Sequence, residues 1–167
     1  VTWYEANRPA RVAATAAVVL LIAAPGCGGD DGETDAAALE ADRVQEAYVD
    51  DVRAAIGPVA SQSQQLIAQV RQARSIGDLS RPLDEAEEGY RTAMRELEEI
   101  APPADAAELH ERLVETQRQI ADATKEAERA AAEDDRDGLD EFSEAGDRYA
   151  RRSRALSERF SELGYEF

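Results

Sequence analysis

The stretch Leu83-Asp84-Glu85-Ala86-Glu87-Glu88-Gly89-Tyr90-Arg91-Thr92-Ala93-Met94-Arg95-Glu96-Leu97-Glu98-Glu99-Ile100 decides how the rest of the chain is read. Its apolar residues fall at Leu83, Ala86, Tyr90, Ala93, Leu97 and Ile100, in steps of three and four. At 3.6 residues per turn those positions share one face of an α-helix, and charged side chains fill most of the remainder. Just upstream, Ser80 stands where an N-cap is expected, and Pro82 falls in a first turn whose amides have no intrahelical acceptor. Downstream, Pro102-Pro103 ends the helix and starts the next.

The same spacing recurs on both sides. Before it runs Val44, Tyr48, Val52, Ile56, Val59, Ser63, Leu66, Val70, Ala73. This seam crosses Gly57-Pro58 without a change of phase, so one long helix with a kink at the proline is expected, ending near Gly77. After it come Leu109, Leu113, Thr116, Ile120, Ala123, Ala127, Ala130, a seam that thins to alanine. The last is Leu139, Phe142, Gly146, Tyr149, Ser153, Leu156, Phe160, Leu163, with Gly164 as its stop. Alternating β-branched runs are absent. The expected fold is all-α: an antiparallel up-down four-helix bundle with a long kinked first helix, its short connections making sequential helices neighbours. Tyr48, Tyr90, Phe142, Tyr149 and Phe160 belong to the core, and Tyr165 and Phe167 are expected to fold back on the bundle end.

The N-terminal part obeys a different logic. Val12 to Ala24 is a run of thirteen residues without charge, preceded by Arg8 and Arg11. A bilayer-spanning helix needs about 20 residues, so the run is too short to cross and reads as the apolar core of a secretory signal. Ala24-Pro25-Gly26 then leads to Cys27, the one cysteine of the chain. These residues resemble the lipobox of bacterial lipoproteins, with Gly26-Cys27 kept, Ala24 where leucine is commoner, and Pro25 unusual. The resemblance implies cleavage before Cys27 and a diacyl lipid on its sulfur, two chains that together hold a membrane. The organisation read from it is 1–26 signal peptide, 27–35 lipidated cysteine and flexible linker, and 36–167 helical bundle. The expected location is the extracytoplasmic face of the cell membrane. With one cysteine there is no internal disulfide in the monomer.

Charge narrows the partners. The chain carries 36 acidic against 19 basic residues, a net charge of −17. Loss of residues 1–26 removes Arg8, Arg11 and Glu5, leaving the mature chain one unit more negative. Such a surface repels nucleic acid, so no nucleic-acid role is expected.

Catalytic constellations are sparse. His110 is the one histidine, and the zinc-protease pattern begun at His110-Glu111 has Val114 where the second histidine belongs. A di-iron bundle needs two Glu-x-x-His motifs, and Ala107 precedes His110 by three. His110 therefore reads as structural or exposed. No metal, no cofactor and no enzymatic activity are expected. The alternative is calcium or another cation at Glu133-Asp134-Asp135-Arg136-Asp137-Gly138-Leu139-Asp140-Glu141-Phe142-Ser143-Glu144. Acids there fall at EF-hand loop positions 1, 3 and 5, glycine at 6 and glutamate at 12. Against it, Glu133 replaces the first aspartate and Asp140 stands where an apolar residue belongs. The competing reading is an acidic turn in which Asp137 caps the fourth helix.

The segment Ile100-Ala101-Pro102-Pro103-Ala104-Asp105-Ala106-Ala107-Glu108-Leu109-His110 and the closing Phe160-Ser161-Glu162-Leu163-Gly164-Tyr165 resemble small uncharacterised lipoproteins of high-GC Gram-positive bacteria. That group is similar in pairing a lipobox with helices, a Pro-Pro break and a Leu-Gly. Many of its members also carry cysteines in the helical domain, which this chain does not. The resemblance implies address and architecture and carries no activity. The function expected is a lipid-anchored, non-enzymatic interaction or accessory module at the cell envelope. Its partners would be the membrane, through the lipid on Cys27, and an envelope protein.

Overall fold

The structure is a computed structural model and describes residues 32–167. Four helices follow in order: α1 (Gly32–Gln72), α2 (Ser80–Glu99), α3 (Ala107–Ala132) and α4 (Arg136–Glu162), with a single 3₁₀ turn at Ile76–Leu79. No strand occurs among the described residues. Two expectations shift at the edges of α1. It begins at Gly32, inside the segment 27–35 expected as linker, and stops at Gln72, a turn before Gly77.

α1 is one helix of 41 residues and runs through Gly57-Pro58 without interruption. Pro58 cannot donate to the carbonyl of Ala54 and its ring crowds that oxygen, the ordinary cause of a kink. The other helices hold 20, 26 and 27 residues, so α1 outlasts its neighbours. That is why the two ends of its seam are not buried: Val44 is 48% and Val70 41% exposed, whereas Tyr48, Val52 and Val59 between them are buried.

α3 packs against both α2 and α4 and buries most of its own seam. The core divides into three layers. At one end Tyr48, Val52, Leu97, Leu109, Leu113, Leu156, Phe160 and Tyr165 pack together, with Phe167 against them. The middle holds Val59, Ala86, Tyr90, Ala93, Ile120 and Ala121. The far end is Leu83, Ala127 and Ala131, edged by half-buried Leu66, Leu79, Leu139 and Phe142. Tyr48 meets Phe160 at one end, and Leu66 borders the same cluster as Leu139 and Phe142 at the other, so α1 runs antiparallel to α4.

The middle layer is partly polar. Ser63 Oγ donates to the Val59 carbonyl at 2.8 Å, so at 3.1 Å Tyr90 donates to Ser63. Gln117 Nε2 donates to Tyr149 Oη at 3.1 Å, while its buried Oε1 finds no donor among the described residues. Burial raises Tyr90 above the ordinary phenol value.

The turns correct two caps. Ser80 is not an N-cap: its backbone is helical and its amide bonds the Gly77 carbonyl, because the 3₁₀ turn runs directly into α2. Its hydroxyl instead donates to Glu128 Oε1 on α3 at 2.8 Å. The reversal before it is held by Asp78, whose carboxylate accepts the amides of Arg74 and Ser75 at 2.8 and 3.0 Å. Those bonds, Arg74's first, hold the carboxyl below its usual range.

The cap of α4 is Asp135, not Asp137; its side chain accepts the Asp137 amide at 3.1 Å. The reason lies in how α3 ends. Asp134 takes φ +57°, the Asp135 amide donates to the Ala130 carbonyl at 2.8 Å, and the Asp134 amide donates to the Ala131 carbonyl at 3.4 Å. This is a Schellman ending with aspartate in the left-handed position, and it delivers Asp135 in the extended conformation a cap requires. Gly138 then lies so close to α3 that a Cβ there would sit 2.7 Å from the Ala130 Cβ.

Candidate interaction surface

Cys27, the expected lipidation site, lies outside the described residues. The candidate features that remain are His110, the acidic segment 133–144 and the charge pattern of the surface.

His110 is buried rather than on the flank of its seam, and it joins three helices. Its Nε2 is 2.9 Å from the Leu97 carbonyl on α2, which can only accept, so Nε2 carries the proton. Nδ1 is then the acceptor for the Tyr48 hydroxyl from α1 at 3.0 Å. The two rings are tilted with centroids 5.7 Å apart. Both ring nitrogens are engaged and the side chain is 5% exposed, so the imidazole acts as a brace. Burial pushes the Tyr48 phenol well above its ordinary value, with Tyr165 nearby adding to it.

Over this brace the chain after α4 folds back. Gly164 has φ +87°, its amide bonds the Ser161 carbonyl at 3.0 Å, and the Tyr165 amide bonds that of Phe160 at 2.9 Å. The Tyr165 ring meets Phe160 edge-on, supplying the apolar contact that accompanies such an ending. Tyr165 Oη donates to Asp105 at 2.8 Å just before α3. Burial, that bond and the negative charge of Asp105 push the phenol up to about 12. Gln45 and Arg53 on α1 donate to the carbonyls of Gly164 and Glu166 at 2.6 and 2.8 Å. The expected fold-back of Tyr165 and Phe167 is thus observed.

The acidic segment does not form an EF-hand loop. From Arg136 on it is α-helix, so Asp137 and Gly138 at positions 5 and 6 and Glu144 at 12 follow helical geometry and cannot wrap one ion. Among the described residues no three metal-ligating side chains come together.

The surface carries a pattern that counting net charge conceals. Within α1, residues 33–51 hold seven acids and one arginine, while Val52 to Gly77 contains no acid and has Arg53, Arg71 and Arg74. α4 is also segmented. Arg148, Arg151, Arg152 and Arg154 fall within seven residues, and no acid occurs between Asp147 and Glu158. Elsewhere arginines find carboxylates: Arg91 pairs with Glu87 and reaches Asp122 across α2 and α3, and Arg118 pairs with Glu115 and reaches Glu98. On α4, Arg148 pairs loosely with Glu144 at 3.5 Å. Arg152 donates to Gln119 on α3, and neither it nor Arg151 nor Arg154 makes an ion pair among the described residues. Four arginines in seven residues are visible in the sequence. Reading only the overall acidity, or only the helical seams, passes over them.

The opposite pole is a groove along α1 lined by Asp42, Gln45, Glu46, Val49, Asp50 and Arg53, closed by Gly164 and Glu166. Here carboxylates outnumber the single guanidinium, and Arg53 is engaged with Asp50 at 3.3 Å.

No helix among the described residues is long and apolar enough to cross a membrane. The chain matches no protein-family model, no curated protein and no solved structure.

Proposed function

We propose that this chain is a lipoprotein of the bacterial cell envelope: a helical bundle held at the extracytoplasmic face of the cell membrane by lipid on Cys27, acting as a non-enzymatic interaction module. The observation that carries the reading is the succession of Arg8 and Arg11, an uncharged run of thirteen residues, and Gly26-Cys27. A Sec-type signal needs the first two, and lipidation needs the third.

The test compares the full chain with Cys27→Ser in cells. The native chain is expected in the membrane fraction, with an intact mass that starts at Cys27 and includes a diacylglyceryl group. The variant is expected to keep residues 1–26 or to appear unlipidated. Equal mass and equal fractionation of the two would sink the anchoring argument. Turnover of any envelope polymer that vanishes on changing one carboxylate would sink the non-enzymatic half.

A further inference from the structure

We infer that His110 is an acid-sensitive latch: a proton added to its imidazole releases the half of α1 that carries Tyr48, and with it the segment after α4, while the rest of the bundle stays folded. The argument starts from the hydrogen-bond roles. Nε2 donates to the Leu97 carbonyl, so Nδ1 holds the lone pair that the Tyr48 hydroxyl requires. A second proton on the ring falls on Nδ1 and turns that acceptor into a donor aimed at a hydroxyl 3.0 Å away. If the hydroxyl turns to accept it, the phenol proton is left without an acceptor, since Tyr48 Oη makes no other hydrogen bond among the described residues.

The surroundings do not compensate a positive charge. One turn away on α3 stand Ala106, Ala107, Leu113 and Val114. α1 presents Tyr48, α4 Phe160 and the segment after it Tyr165, all rings of one cluster, and α2 presents the Leu97 carbonyl, already engaged. Asp105, before α3, accepts the Tyr165 hydroxyl. The charged side chains flanking these positions, Asp51 on α1, Glu98 on α2, Glu108 and Glu111 on α3, Arg159 on α4 and Glu166 after it, are exposed. A charge enclosed without a partner is costly, whereas an opened or unfolded chain takes the same proton in water. Protons therefore favour the open form, and the closure weakens as pH falls.

Two features confine the loss to one end. α1 is divided at Gly57-Pro58: Pro58 has no amide for the Ala54 carbonyl, so the helix bends there more readily than elsewhere. Beyond that break α1 is held by bonds without an imidazole, Ser63 with Tyr90 and Gln62 with the Glu85 carbonyl on α2. Before it, Gln45 and Arg53 tie α1 to the segment after α4 through exposed bonds, so the two leave together. Opening at this level uncovers Tyr48, Phe160 and Tyr165, an apolar surface that the closed form hides. His110 is also the one histidine of the chain. Imidazole is the side chain that ordinarily changes charge between pH 5 and 8. The two carboxyls displaced from their usual range among the described residues, Asp78 and Glu115, are displaced downward, away from that window.

The experiment is amide hydrogen exchange of the full chain carrying Cys27→Ser, which removes lipid and separates this inference from the anchoring proposal. Protection, corrected for the intrinsic rate, is expected to fall about tenfold or more between about pH 7.5 and pH 5.5 around Tyr48–Val52 and Phe160–Tyr165, and to hold steady around Leu83–Tyr90. Nitrogen NMR of the single imidazole is expected to show the proton on Nε2 at the upper pH, and titration in step with the loss of protection. His110→Gln, whose amide both accepts and donates but does not titrate, is expected to abolish the pH dependence. Should that variant not fold, the coincidence of imidazole titration and exchange in the chain with His110 decides. Protection that stays constant across this range overturns the inference, whether or not the imidazole titrates. So does an equal fall at both ends of the bundle, or a fall that persists in His110→Gln.

Discussion

The two ends of the bundle solve one problem with different materials. At one end Tyr48, His110, Phe160, Tyr165 and Phe167 meet in tilted and edge-on ring contacts, and Phe160 is 1% exposed. At the other, Leu83 meets Ala127 and Ala131, and the flanking Leu139 and Phe142 remain half-buried. Both ends close with a helix ending of the same geometry, Gly164 with φ +87° after α4 and Asp134 with φ +57° after α3. The aromatic end adds an edge-on ring contact and a tyrosine–carboxylate bond to that ending, and the alanine end adds close backbone approach at Gly138. Local backbone chemistry can thus terminate a helix equally well in either setting, while side-chain volume decides how firmly the end is held.

The largest expected effect that tests this contrast is truncation. Phe160→Ala should cost about 3–5 kcal/mol, since it removes a fully enclosed ring and leaves a cavity. Leu139→Ala at the other end should cost about 1 kcal/mol, because a half-buried side chain returns only part of its transfer energy. Equal losses in urea unfolding of the two variants would erase the distinction between the ends.

Alkali should separate them next. Tyr48, Tyr90 and Tyr165 all sit above the ordinary phenol value in the fold, Tyr165 at about 12. The folded chain keeps these protons where the unfolded chain releases them. The stabilisation is therefore complete below about pH 10 and drains away as pH rises through the folded values. Two of the three phenols belong to the aromatic end. Urea midpoints should fall between about pH 10 and pH 12, and hydrogen exchange should speed up around Phe160–Tyr165 before it does around Leu83. A Tyr48→Phe chain should show a flatter decline; an unchanged slope would remove Tyr48 from the account.

The smallest effects come from the two helix endings themselves. Asp134→Gly should stabilise by about 0.5 kcal/mol, since glycine adopts the left-handed conformation without Cβ strain. Gly164→Asp should destabilise by about 1 kcal/mol for the converse reason, raised somewhat because a Cβ there meets Gln45 Nε2 at 3.0 Å. Thermal melts of the pair check whether the endings are interchangeable.

Much of the fold was legible because periodicity reports burial directly. Leu83, Ala86, Tyr90, Ala93 and Leu97 are all buried, as their spacing requires. The seam of α1 misled at Val44 and Val70 because a helical pattern says nothing about how far the partner helices extend. Ser80 and Asp137 were plausible caps by residue type, and both lost to backbone geometry that depends on the preceding turn. His110 read as structural or exposed, and the choice between the two was not legible because its partners, Tyr48 and the Leu97 carbonyl, come from two other helices.

The closure of the aromatic end has a further consequence for the order in which the bundle is made. Contacts between α3 and α4 link neighbours in the chain, whereas Gln45 and Gly164 are 119 residues apart. Closing so long a loop is entropically costly, and contacts of this separation form late. During synthesis the ring face of Tyr48 and the imidazole of His110 therefore wait uncovered until Phe160 to Phe167 have emerged. In that interval the nascent chain presents an adhesive patch that the finished protein conceals.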